Sequence, residues 1–408
     1  MEITASISDH WADVLSLLPA GLDVEASARE CGAFTRARGV KNAATLLRLS
    51  LAYGGRGMSL RECCAWAEGS GVAELSDPAL VNRLRDAQAW LGDVLAALLA
   101  EQGLASVGRW AGYRLRAIDA TAICAPGADR TTWRLHAACD LASGQIDQLE
   151  LTDGHGAESL DRFVFRPGEI AIADRGYARP RDLRPVLRAG GQLIVRTGWN
   201  SLSLVAADGA PFDLFGVLAG LREQEGESPV AIREGTGEAP LPLRLVIRRK
   251  TPKEAEQAQL KLRKEAKKRG KKPDPRSLKA ARYILLLTSL PAETFPAADV
   301  LALYRLRWQI ELSFKRFKSL AGLDQLPAKS EDLARAWIYA KLITVLLAER
   351  LAGTVPDSPP SGPGIDRRQP VALAQRQTHP RQPARRHPRR PLVGGHPQPS
   401  FAMPTLPA

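Results

Sequence analysis

A mixed α/β domain, preceded by an all-helical region and followed by a tail without regular structure, is the fold class this 408-residue sequence predicts. Three observations predict it. The hydrophobic period changes from helical to strand-like near residue 113. Three hairpin-linked strands are then followed by alternating helix and strand, the pattern of a mixed sheet. Beyond Gly353 the chain turns rich in Pro, Arg, Gln and His and poor in apolar residues, so it cannot bury enough surface to fold.

Residues 1–105 read as helices. Ala43–Tyr53 carries Leu46, Leu47, Leu49 and Leu51. Ser59 with Glu62 three residues later has the spacing of a capping box. Gly69 and Gly71 mark a turn, and Ser76 or Asp77 opens the next helix with Pro78 in its first turn. Two readings of this pair stand. One is a helix-turn-helix that presents Asn82, Arg83 and Arg85 to DNA; the other is a plain helical bundle with a charged rim.

Residues 106–352 form the α/β domain. YRLRAIDAT is a strand ending at Asp119, and TTWRLHAACDL and GQIDQLELTD are the second and third strands. GAESLDRF is expected to be helical. EIAIADRGYA gives a buried strand ending at Asp174, Arg179–Ala189 a helix, and Gly191–Thr197 a further apolar strand. That order is the order of a ribonuclease-H-like fold. Residues 198–295 interrupt it as a β-rich insertion, with DLFGVLAGL, PVAIREG and PLRLVIRRK as short strands. The insertion carries a basic arm, from Lys253 to Lys272, suited to phosphate contacts. RYILLLTSL adds an apolar strand, and Glu331–Leu351 is a helix.

The net charge of +13 points to a polyanionic partner, nucleic acid before an anionic membrane surface. No apolar run approaches the length of a membrane span, and the N-terminus lacks a basic-then-apolar leader, so a cytoplasmic protein is expected. Five cysteines, two of them adjacent and none in a C-x-x-C pair, fit a reducing compartment and exclude a disulfide framework or a zinc site. His10, His136 and His155 have no metal-ligand spacing.

Leu301–Leu320 is the segment around which the chemistry gathers. At about 100° per residue, Leu303, Leu306, Ile310, Phe314 and Phe317 fall on one side of a single helix. Tyr304, Arg307, Glu311 and Lys318 fall on the other. Taken alone, such a face is most simply a solvated one laced with i,i+4 ion pairs. Two further carboxylates change that reading. Asp119 and Asp174 each end an apolar strand, and the carboxyl ends of strands are where α/β sheets bind ligands. With the first and fourth strands as neighbours, both acids come together, and the 301–320 helix brings Glu311 to the same spot. Three carboxylates without a histidine suit Mg²⁺ or Mn²⁺. Two such ions assist in-line attack on a phosphodiester. Asp140 ranks second as a strand-end carboxylate, ahead of Asp153, Asp161 and Asp182.

The spacing Y-x2-R-x3-E-x6-K of Tyr304, Arg307, Glu311 and Lys318 resembles the YREK signature of DDE transposases of the insertion-sequence-four family. ADRGY resembles their second-aspartate motif and IDAT their first, with Ala120 departing from the usual Gly or Ser. The resemblance covers about residues 30–350. It implies that Asp119, Asp174 and Glu311 bind the metals, and that Tyr304, Arg307 and Lys318 contact phosphates of the element's end. It further implies that Arg196 touches DNA and that Trp199 stacks on a flipped base. The implied activity is cleavage at terminal inverted repeats followed by 3′-hydroxyl attack on target DNA, by a homodimer on double-stranded ends. The broken composition after Gly353 also motivates a second reading: a decayed transposase with a frame-shifted C-terminus that binds DNA without catalysis. A general ribonuclease-H-like nuclease is a third, opposed by the basic insertion and by the signature at 304–318.

Overall fold

Short runs of β-branched and apolar residues, broken by Gly and Pro, build one sheet, nine-stranded among the described residues. The computed structural model describes residues 10–102, 112–128, 130–206, 208–233, 239–319 and 321–354. The tail expected to lack structure lies outside the described residues, apart from the last turn of the final helix. The strands are β1 (Arg114–Ile123), β2 (Trp133–Asp140), β3 (Ile146–Asp153), β4 (Glu169–Ala173), β5 (Gln192–Arg196), β6 (Leu204–Val205), β7 (Glu225–Ile232), β8 (Leu241–Arg249) and β9 (Tyr283–Thr288). Their order across the sheet is β3-β2-β1-β4-β5-β9-β8-β7-β6. β1, β2 and β3 pair antiparallel, whereas β1, β4 and β5 are parallel. β4 is buried at every position, as a parallel strand covered on both faces must be.

Residues 198–295 continue this sheet. β9 lies antiparallel to β5, with Val195 opposite Leu287, and β8, β7 and β6 follow outward. Three local expectations fail. DLFGVLAGL is a helix, α8 (Leu214–Gly220): Asp213 caps it by accepting from the Gly216 amide, and Leu214 and Leu218, four apart, are its buried residues. GAESLDRF forms only a 3₁₀ turn at Leu160–Arg162. β1 also runs past Asp119 to Ile123; only its pairing with β4 stops, at Ile118.

The helices sort by sheet face, because successive strand residues point to opposite sides. On one face Ile118, Ala173, Leu193, Val195 and Leu287 pack with Leu183 and Val186 of α7 (Pro180–Arg188) and with α8. The other face carries two cores. Near β4, β5 and β9, Ile170, Ile172, Ile194 and Leu286 meet Val300, Leu301 and Leu303 of α11 (Ala297–Arg305). Near β1 and β2, Ala117, Leu135 and Ala137 meet Ile310, Phe314 and Phe317 of α12 (Trp308–Ser319). The segment 301–320 is therefore two helices. At the joint the bonding tightens to i,i+3, from the Arg307 amide to Tyr304 O (3.2 Å) and from Ile310 to Arg307 O (3.3 Å). The break lets the apolar residues of one segment serve two separate cores. The basic arm is the helix α9 (Pro252–Lys268), started by a Thr251–Glu254 capping box and burying only Ala255.

The N-terminal helices are α1 (Trp11–Ser16), α2 (Val24–Glu30), α3 (Ala43–Gly54), α4 (Leu60–Gly69), α5 (Asp77–Asp86) and α6 (Gln88–Gln102). α10 (Pro275–Ala280) precedes β9, and α13 (Glu331–Thr354) closes the described chain. The expected Ser59–Glu62 capping box is present. α3 and α6 pack on α13, and their leucines share one core with the β1–β3 half of the sheet. Arg83 donates to the carbonyls of Arg36 and Arg38, and Arg85 to Ser330 Oγ. Both arginines are thus tied to the protein itself. No helix among the described residues is long and apolar enough to cross a membrane.

Candidate active site

Register brings the two aspartates together. Ile118 lies opposite Ala173 in the parallel β1–β4 ladder, so Asp119 and Asp174 are the next residue on each strand. Asp174 leaves β4 into a 3₁₀ turn, which it caps by accepting from the Gly176 amide at 2.7 Å. Asp119 Oδ1 accepts from the Ala120 amide at 2.9 Å. A Cβ at Gly176 would overlap the Glu158 carboxylate and lie 3.2 Å from Asp174 Oδ1, so both acids lie against this stretch of backbone.

The α11–α12 joint supplies the third element. Arg307, at the break, reaches Asp119 Oδ2 with one nitrogen (3.5 Å) and Glu311 Oε1 with another (2.6 Å). Glu311 sits in the first turn of α12, where the helix dipole favours an acid, and its side chain is 47% exposed. Asp119, Glu311, Lys315 and Lys318 line a cleft of about 530 Å³ together with Phe314 and Asp324. Tyr304 is mostly buried beside Arg307, whose guanidinium carbon is 5.9 Å from the ring centre. Burial pushes the Tyr304 hydroxyl up, and the charges of Arg307 and Arg196 oppose it.

The acids are held against their charge. Burial first, and then Asp174 and Glu158, push Asp119 up to about 6, while the Ala120 amide and Arg307 pull it down. Glu158 is raised by burial and by Asp174, with Arg134 and Arg179 opposing. Among the described residues no three Asp, Glu, His or Cys side chains converge as they stand to hold a metal ion. The donor chemistry nevertheless fits a hard divalent cation: carboxylate oxygens only, partly desolvated and mutually repelling.

The other expected site residues divide. Arg196, at the end of β5, acts electrostatically on Tyr304 and on Lys250, whose ammonium donates to Ala281 O at 2.7 Å. Trp199 is packed: Arg276 lies over its ring at 4.4 Å, Phe215 tilts against it, and its indole N–H donates to Ser277 Oγ. Asp140 belongs to the opposite edge, because β2 runs antiparallel to β1 and Asp140 pairs with Arg116. It caps the turn after β2 and holds Arg114 at 2.6 Å. Glu158 was not foreseen. No period marks it, and its place beside Asp174 depends on a glycine 18 residues away.

A family model for the Transposase DDE domain matches residues 110–347. The chain is 43% identical over 365 residues to the putative transposase InsL for insertion sequence element IS186A of Escherichia coli (strain K12), covering 88% of this chain and 98% of that protein. It is 43% identical over 366 residues to the transposase for insertion sequence element IS421 of Escherichia coli, with the same coverage. The transposase for IS231F of Bacillus thuringiensis subsp. israelensis is 28% identical over 228 residues, 51% of this chain and 47% of that one. Among solved structures, a cryo-EM piggyBac transposase synaptic complex with hairpin DNA aligns at a TM-score of 0.39 and 11% identity, over 84% of this chain and 73% of that one. A domain match across more than half the chain, on the segment that carries Asp119, Asp174 and the 304–318 signature, and near-full-length relatives that are insertion-sequence transposases lead to one conclusion: the chain belongs to the DDE transposase family, in the manner of the insertion-sequence-four group.

Proposed function

We propose that this transposase cuts double-stranded DNA at the terminal inverted repeats of its element and joins the freed 3′ end to target DNA, using Asp119, Asp174 and Glu311. The observation that carries the reading is that Asp119 and Asp174 follow paired residues on neighbouring strands while a single arginine, Arg307, bridges Asp119 to Glu311. These carboxylates would hold Mg²⁺ or Mn²⁺, as a pair of ions. Such ions, when bound, activate the attacking oxygen and offset charge on the phosphate. Arg307 then exchanges its carboxylate partners for a phosphate, as a planar guanidinium favours. Lys318 and Arg196 flank it as phosphate contacts, and Tyr304 buttresses Arg307. Trp199 serves as a base-stacking residue only if the base displaces Arg276.

The β3-β2-β1-β4-β5 part of the sheet supports a ribonuclease-H-like catalytic domain over residues 106–352, with 198–295 as its insertion. Residues 1–105 form the repeat-binding domain, and two copies act on paired ends. A nucleoid-associated enzyme of the bacterial cytoplasm fits this role. The test is cleavage of a labelled duplex carrying the element's own terminal repeat, with Mg²⁺ or Mn²⁺. Boundary cleavage is expected from the wild type and from none of Asp119→Ala, Asp174→Ala and Glu311→Ala, with binding retained in Ca²⁺. Cleavage by any of the three variants would remove that residue from the site. Binding without cleavage by the wild type itself would favour the decayed reading.

A further inference from the structure

We propose that Glu158 is a metal-binding carboxylate of this site, acting with Asp119 and Asp174 before DNA arrives, while Arg307 holds Glu311. The proposal rests on the metal-dependent reading above and assigns a residue outside the signature.

Glu158 is built into place. The loop after β3 is pinned on three sides: Arg134 donates to Gly156 O (2.9 Å), Arg162 to Ala157 O (2.8 Å), and Ser159 Oγ to the buried Asp182 (2.5 Å). Three glycines allow the approach. A side chain at Gly154 would strike Thr131 O, one at Gly156 would strike Thr152 Oγ1, and one at Gly176 would overlap the Glu158 carboxylate itself. The carboxylate so delivered is half-buried, and none of the hydrogen bonds or ion pairs formed by described residues involves it. A carboxylate moved out of water needs a counter-charge; Arg134 and Arg179 offset part of its charge without forming an ion pair with it, and Asp174 works against them.

An independent observation marks the same place. The Tyr177 side chain is fully buried and its hydroxyl has no hydrogen-bond partner. The charges acting on it are chiefly those of Asp119, Glu158 and Asp174. A fully buried hydroxyl is thus left unused where the charges of an unpaired glutamate and two aspartates act on it. Glu311, by contrast, already has a close partner in Arg307 at 2.6 Å.

The measurement is Mn²⁺ affinity of the full-length, DNA-free protein by electron paramagnetic resonance, with metal-free melting temperature alongside. Glu158→Gln is expected to weaken Mn²⁺ binding tenfold or more, as Asp174→Asn does, without lowering the metal-free melting temperature, because one of several like charges is gone. Glu311→Gln is expected to stay within threefold of wild type. Wild-type affinity in Glu158→Gln, with affinity lost in Asp174→Asn, overturns the proposal and leaves the catalytic reading intact. Absence of Mn²⁺ binding by the wild type overturns both. Should Glu158→Gln fail to fold, Glu158→Asp retracts the carboxylate by one methylene; at least a threefold loss supports the proposal, and wild-type affinity overturns it.

Discussion

Asp119 shows how much charge the site holds in reserve. Its side chain is 19% exposed, and burial beside Asp174 and Glu158 pushes it up to about 6. A carboxyl raised in the folded state binds its proton more tightly there than when unfolded. Its contribution is therefore full below pH 4 and is lost as pH rises through 6, at a cost of about 2–3 kcal/mol. Metal-free protein should lose stability across that window, and Asp119→Asn should flatten the loss and melt higher at pH 7 while abolishing cleavage. Melting curves in EDTA from pH 4 to 8 check this; superimposable profiles for the two proteins would refute it. Arg116 is the opposite case. It is fully buried, paired with Asp147 and Glu169, and bonded to Val164 O. Arg116→Met should destabilise by about 3 kcal/mol, because it leaves two buried acids to share Arg114; a urea midpoint near that of wild type would contradict it. Asp174 was legible as a strand end because a buried apolar run stopping at a turn is a local signal, whereas Asp119 lies inside β1, and Tyr304 and Glu311 lie on two helices where a single period suggested one. Glu158 and the Arg116 network were not legible, because each is defined only by what folds against it.

Elements were legible wherever one period held. The capping box at Ser59 and the strand β4 stand as the sequence predicts. The signal misled where two periods fit the same residues, as in α8, whose apolar run has no polar alternation. It also misled where one helix faces two cores, as at the Leu306–Arg307 break, since periodicity cannot report that the packing surface changes. Packing of α3 on α13 was invisible for the same reason. A side chain at Gly54 would come within 2.6 Å of Ala340 Cβ and 2.8 Å of Trp337 O. The two helices meet backbone to backbone there, and neither obstacle is a flexible tip. Gly54→Ala, although a better helix former, should therefore destabilise by about 1–3 kcal/mol. Denaturant unfolding checks the sign, and a stabilised variant would mean that the helices can separate at no cost.

At the scale of the whole molecule, the sheet order was only partly readable. Pairing of β5 with β9 joins residues some 90 positions apart, and nothing local encodes it. Charge, however, acts over the whole body and is read directly. The excess of +13 is concentrated in part on α9, where Lys261, Arg263, Lys264, Lys267 and Lys268 are all exposed and Ala255 alone is buried. A helix that contributes so little to the core is held out as a charged arm, and its partner should be the DNA backbone flanking the cleft. Each phosphate neutralised releases counterions, so binding should weaken linearly in log salt, with a slope near −0.9 for each contact. Changing Lys261, Lys264 and Lys268 to Gln should leave the melting temperature unchanged and reduce the slope by about 2–3. Titrations of a repeat-bearing duplex from low to moderate salt measure it. A slope equal to that of wild type would put the arm outside the interface, and the phosphate contacts would then fall to the Arg196–Lys250 side of the site, where the same titration on Arg196→Gln would find them.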